Sequence, residues 1–97
     1  IIDYNKWQAT GRSEEITSIS SLKEKFSAFG WNAFDVDGHS LEAIIESFQL
    51  CSNSNSPNAI IAHTIKGKGV SFMEDDNNWH YRIPTKEEVE LSIKEIG

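Results

Sequence analysis

The sequence predicts an α/β fold built on a parallel sheet of about three strands with flanking helices. Three patterns predict it. Short apolar runs alternate along the chain with stretches of helical period. Gly and Pro fall at several of the boundaries between them. Ala59 to Ile65, just after Pro57, is apolar, rich in β-branched residues and too short for a helix, which fits a strand buried in a parallel sheet.

Ile1 to Tyr4 reads as the end of a strand. Asn5 to Ile19 keeps no period and carries Gly11, so it reads as a long loop. Ser21-Leu22-Lys23-Glu24 has the spacing of a capping box, in which the Ser hydroxyl takes a backbone N–H and the Glu reaches back. Leu22, Phe26 and Phe29 then share one helical face, and Gly30 is a good helix stop. Trp31 to Val36 reads as a second strand closed by the Asp37-Gly38 turn. Ser40 is placed to cap the next helix, whose Leu41, Ile44, Ile45 and Phe48 give the strongest helical signal in the chain. Ser52 to Pro57 is small and polar and reads as an exposed loop. Ala59 to Ile65 is the third strand, ended by Gly67 and Gly69. Residues 70 to 83 form a second loop rich in acids and aromatics. Thr85-Lys86-Glu87-Glu88 is another capping box, and Val89, Ile93 and Ile96 give the last helix its apolar face.

Strands alternating with helices imply parallel pairing with right-handed crossovers. Ligands of such sheets bind outside the carboxyl ends of the strands. Asn5–Ile19 and Lys66–Pro84 both follow a carboxyl end. Long loops in a small domain are usually functional, so both point to a site.

Composition narrows the partners. Ninety-seven residues allow one small domain. The net charge of −6 argues against duplex nucleic acid or an anionic membrane as the main partner, since both demand a basic footprint. A single cysteine, Cys51, excludes an internal disulfide framework and a thiolate metal cluster. No apolar run approaches the ~20 residues that span a bilayer.

Within the loops, Asn5 either caps a turn or lends its carbonyl oxygen to a hard cation such as Mg²⁺. Lys66-Gly67-Lys68-Gly69 is the local basic cluster of an acidic chain. It reads either as a solvated turn or as a phosphate-binding one, without the spacing of a Walker loop. His80, between Trp79 and Tyr81, is either a packed loop residue or an anion donor and proton shuttle. His39 and His63 read as structural, Trp79 as a loop anchor, and Glu74-Asp75-Asp76 as a solvated acidic run.

Together these residues resemble the transketolase family. Asp3-Tyr4-Asn5-Lys6-Trp7-Gln8-Ala9-Thr10-Gly11 resembles the end of its thiamine-diphosphate motif. Asp37-Gly38-His39, then His63-Thr64-Ile65-Lys66-Gly67-Lys68-Gly69, then Trp79-His80 follow in the family's order. The resemblance covers nearly the whole chain. It implies a partial, Rossmann-like thiamine-diphosphate-binding fold, with residues 1–97 as the C-terminal part of the diphosphate-side domain. It implies Asn5 and the Trp7 backbone carbonyl as Mg²⁺ ligands, Lys66 and His80 as contacts to thiamine diphosphate, and His80 as a contact to substrate oxygens. The implied reaction is transfer of a two-carbon ketol unit between sugar phosphates. The implied enzyme is cytoplasmic, a homodimer or a split heterotetramer, with the pyrimidine-binding domain on the rest of the chain or on a second subunit. On that reading the start at Ile1-Ile2, with no Met, cuts through the strand that delivers Asn5, and the 97 residues alone are inactive.

Two departures stand out. The family's upstream Gly-Asp-Gly, which carries the main acidic metal ligand, is absent from these residues. Tyr81 stands where many members have Gly, which bears on the width of the substrate channel. A deoxyxylulose-phosphate synthase or a 2-oxo acid dehydrogenase-type enzyme is the alternative within the superfamily. A non-catalytic α/β interaction module is the alternative outside it.

Overall fold

A computed structural model describes residues 1–97. Three strands form a parallel sheet: β1 (Ile2–Tyr4), β4 (Asn32–Asp37) and β5 (Asn58–His63), in the order β1-β5-β4. β5 lies in the centre because it is the most apolar of the three. Ala59, Ile60, Ile61 and Ala62 are all buried there, and with Val70 they make up the apolar core. Ile61 is 1% exposed, and burial of a side chain that size stabilises by about 2 kcal/mol.

The helices are α2 (Leu22–Ala28), α3 (Leu41–Ser52) and α4 (Lys86–Ile96). α3 begins as expected, with the Ser40 hydroxyl accepting from the Ala43 N–H. Its orientation is less expected. Ser47, 2% exposed, is its buried residue and donates to the Ile44 carbonyl. Ala43 and Ser47 face the Phe34–Asp37 stretch of β4, while Leu41 is 71% exposed, and Ile45 and Phe48 are also exposed. Ser47 is the residue the helix turns inward, which leaves much of the predicted apolar stripe outside. α4 carries the full capping box between Thr85 and Glu88, yet Val89, Ile93 and Ile96 are exposed as well.

Two local expectations are corrected. Ser21 does not cap α2: its backbone is left-handed, with φ 56°, and its hydroxyl takes no N–H. The first loop is also not featureless. It folds into a short antiparallel hairpin, β2 (Trp7–Gln8) with β3 (Gly11–Arg12), followed by one helical turn, α1 (Ser13–Ile16). The hairpin pairs two residues with two, too short a pattern for a period-2 signal to show.

The whole is thin and extended. Its extents are 49 × 32 × 15 Å and its radius of gyration is 16.1 Å, against about 13 Å for a compact chain of ~100 residues. Only 7 of the 97 residues are buried.

Candidate functional site at the carboxyl ends of the strands

The register sets the site. Tyr4 pairs with His63, and His63 pairs with Asp37, so the last residues of all three strands share one row. The residues just beyond that row, Asn5, Gly38-His39 and Thr64, therefore emerge side by side. Backbone bonds hold the edge together: Thr64 N–H donates to the Tyr4 carbonyl (3.3 Å) and Gly38 N–H to the His63 carbonyl (2.9 Å). Gly38 is required by this closeness. A Cβ there would stand 2.5 Å from the Thr64 methyl carbon.

An open cleft of about 430 Å³ lies over this edge. Asp3, Asn5, His39 and the Thr64–Lys68 segment line it. Asn5 and Lys66, predicted from opposite ends of the chain, thus meet in one place. Asn5 Oδ1 accepts the Trp7 N–H at 2.9 Å. Asn5 therefore does cap a turn, and its carbonyl oxygen keeps a second lone pair. His39 Nε2 accepts the Ile65 N–H at 2.8 Å, which ties the strand-end turn to the start of the basic loop. The Thr64 hydroxyl donates to the Asp3 carboxylate.

The basic loop is built to bend back. Gly67 has φ 71°, and a Cβ on it would lie 2.5 Å from the Met73 carbonyl oxygen. Only glycine fits such a turn without strain. The loop closes through the Asp75 N–H, which donates to the Lys66 carbonyl at 2.8 Å. Glu74 accepts the Gly69 N–H at 3.0 Å and sits 3.5 Å from Lys68 Nζ. The Gly69 amide first, and the Lys68 charge after it, hold the Glu74 carboxyl below its ordinary range.

Asp75 reaches further. Its carboxylate accepts both Arg12 guanidinium N–H groups, at 2.7 and 2.5 Å, and the Trp7 indole N–H at 2.8 Å. The guanidinium also lies 3.7 Å over the Trp7 ring. These donors, Arg12 foremost, hold the Asp75 carboxyl down at about 2. The acidic run 74–76 is therefore not simply solvated, since Asp76 also works, as the cap of the 3₁₀ turn Asn77–His80.

His80 sits on that turn, exposed, with its ring edge-on to Tyr81 at 4.6 Å. It does not line the Asn5–Lys66 cleft. Trp79 anchors the loop as predicted, donating its indole N–H to the Phe72 carbonyl at 3.1 Å. His63 is a sheet-face residue, 2.7 Å from Asp35 and edge-on to Tyr4. A larger open hollow of about 710 Å³ lies between Ala9-Thr10 and the Asp76–Arg82 stretch. It touches none of Asn5, Trp7, Lys66 and His80, so the strand-end cleft, with its paired lysines, is the better candidate.

No family model matches the sequence. Individual relatives do. The chain is 40% identical over 98 aligned positions to an apulose-4-phosphate transketolase subunit of Phocaeicola vulgatus, with all of this chain and 35% of that protein covered. It is 35% identical to the 6-deoxy-6-sulfo-D-fructose transketolase subunit SqwG of a Clostridium species, over 97% of this chain and 34% of that one. It is 34% identical to human transketolase over 99% of this chain and 15% of that one. Over nearly its whole length the chain is similar to one segment of transketolase-family proteins. In fold it matches the crystal structure of Campylobacter jejuni transketolase with a TM-score of 0.88, at 24% identity, over 98% of this chain and 15% of that one. It spans about a third of the length of the two transketolase subunits it matches.

The donor set of this cleft can be set against a metal–diphosphate pair. No cluster of three or more His, Cys, Asp or Glu side chains is present to hold a metal ion unaided. Asn5 offers a neutral amide oxygen, which suits a magnesium ion whose other ligands come from phosphate and water, and Lys66 and Lys68 in the same lining offer positive charge to the phosphate. Sequence reasoning did not single out Asp3, Thr64 or His39 as lining, read Asp75 only as part of a solvated acidic run, and did not single out Arg12. The last two lie 63 residues apart, and no periodic pattern joins them.

Proposed function

We propose that this chain forms the diphosphate-side part of an enzyme that transfers a two-carbon ketol unit between sugar phosphates, using thiamine diphosphate and Mg²⁺. The observation that carries this reading is the meeting of Asn5, Lys66 and Lys68 in one cleft at the carboxyl ends of a parallel sheet. In this reading the Asn5 side-chain oxygen and the Trp7 backbone carbonyl hold the metal. Lys66 neutralises the diphosphate, and His80 holds or gives a proton at a substrate oxygen. Thiamine diphosphate, when bound, supplies the carbanion chemistry from its own thiazolium ring. The names of two relatives specify an anionic sugar, one phosphorylated and one sulfonated, which fits sugar phosphates as the class.

The exposed faces of α3 and α4 support a partner-bearing assembly. We infer that the rest of the same enzyme, or a second subunit with the pyrimidine-binding domain, covers them. A homodimer or a split heterotetramer both satisfy this. Two relatives are themselves named as transketolase subunits. The synthase, the dehydrogenase-type enzyme and the non-catalytic module are not favoured by relatives that carry transketolase names.

The test is Mg²⁺-dependent thiamine diphosphate binding by the full-length protein and by its Asn5→Ala and His80→Ala variants, with ketol transfer measured in parallel. Asn5→Ala is expected to weaken binding at least about tenfold, as for loss of a metal-site contact. His80→Ala is expected to lower transfer more than binding. Unchanged affinity and activity in both variants would sink the reading.

A further inference from the structure

One side chain joins the two loops that the cleft needs. The Asp75 carboxylate grips the hairpin near its base through Trp7 and Arg12, while its own N–H holds the carbonyl of Lys66. Asn77 grips the same hairpin at its tip, donating to the Gln8 and Ala9 carbonyls at 3.0 and 3.2 Å. The grips differ in what they fix. Trp7 is two residues from Asn5 and bonded to its side chain, so fixing the indole also fixes the turn that aims Asn5 Oδ1. Lys66 is the first lysine of the basic turn. Asp75 thus spans the metal side and the anion side of the cleft, whereas Asn77 touches neither.

The arrangement is specific to this carboxylate. A planar guanidinium matches it with two parallel N–H bonds. Stacking of Arg12 over the Trp7 ring leaves the guanidinium edge free to make both. Asp75 adopts a left-handed backbone, φ 56°, to present its carboxylate there. Such a conformation is uncommon for a non-glycine residue and persists where surrounding contacts over-determine it.

We propose that Asp75 is a positioning residue that sets the Asn5–Trp7 turn against the Lys66 turn, so that metal and diphosphate are held at one spacing. This rests on the cofactor reading above. Asp75 touches neither metal nor substrate in this role; it acts through Trp7 and Lys66.

The experiment uses the full-length protein, with its partner subunit where it has one, and the Asp75→Asn, Arg12→Met and Asn77→Ala variants. Hydrogen exchange without cofactor reads the turn itself. Asp75→Asn and Arg12→Met are expected to speed exchange about tenfold at the Trp7 amide and at the Ser13 amide, which donates to the Lys6 carbonyl at 2.9 Å across the hairpin base, the signature of local opening. Mg²⁺ titration at saturating thiamine diphosphate reads the consequence. The apparent Mg²⁺ affinity is expected to fall about tenfold in both variants and less than about twofold in Asn77→Ala, with kcat at saturating Mg²⁺ within about twofold of wild type. In an Asn5→Ala background, Asp75→Asn should add less than about twofold, because both changes act through one turn. Should Asp75→Asn fail to fold, Arg12→Met carries the same arms. Unchanged exchange, unchanged Mg²⁺ affinity, an equal loss in Asn77→Ala, or full additivity with Asn5→Ala would each overturn the inference while wild type still binds the cofactor. Failure of wild type itself to take up Mg²⁺ and thiamine diphosphate would overturn the cofactor reading, and this inference with it.

Discussion

The strand-end loops and the C-terminal helix are held in opposite ways. The loops around Asn5 and Lys66 each close locally but are held to each other by side-chain bonds between residues more than 60 positions apart, as between Arg12 and Asp75. α4 is fixed by its neighbours in sequence: the Thr85 hydroxyl accepts the Glu88 N–H, and Glu88 accepts the Thr85 N–H. Its ties to the rest of the chain include the Ser71 N–H and hydroxyl, which both donate to Glu95. A region closed by distant contacts can hold a geometry. A region closed by local rules can only hold a shape, and needs something else to place it. The exposed apolar residues of α4 are consistent with that need.

The contrast can be broken from either side. The largest effect is expected at the platform under the loops. Ile61→Ala empties the most buried apolar position of the central strand that carries the strand-end loops and should cost about 3 kcal/mol, read as a shift of the urea midpoint. A change of less than about 1 kcal/mol would mean that β5 is not the shared support. Arg12→Lys comes next. It keeps the charge but loses the paired N–H bonds, so exchange at the Trp7 amide should rise several-fold, about as for an opened loop, while α4 amides stay unchanged. Coupled changes in both regions would erase the distinction. Thr85→Ala should cost about 1 kcal/mol of α4 stability, read as amide exchange confined to that helix.

The smallest effect is one of pH. The Thr85 N–H, and behind it the Arg82 charge, hold the Glu88 carboxyl below its ordinary 4.5. A carboxyl with a lowered folded value stabilises above its unfolded value and loses that contribution as pH falls through the folded one. Protection of α4 should therefore be full at neutral pH and decline below about 4.5. Glu88→Gln should flatten that profile without altering the strand-end loops.

The same contrast explains what could be read from the sequence. The strands, the Ser40 cap and the Thr85 box were legible because each rests on spacing within one element. The Ser21 box had the right letters, but its backbone turned left-handed and the hydroxyl lost its target. The packing of α3 was misleading because Ser47, not the apolar stripe, is the residue it buries. Asn5 and Lys66 were legible as loop residues, and the strand register made them neighbours. Asp75 was not, since its meaning comes only from the pairing with Trp7 and Arg12.

The most direct test of the strand-end cleft is a hydrogen-exchange footprint on the full-length protein with Mg²⁺ alone, thiamine diphosphate alone, and both. The account predicts new protection at Asn5–Trp7 and at Lys66–Gly69 together, strongest when both ligands are present. Binding without protection at these two loops, or with protection centred on the Ala9–Arg82 hollow instead, would contradict it.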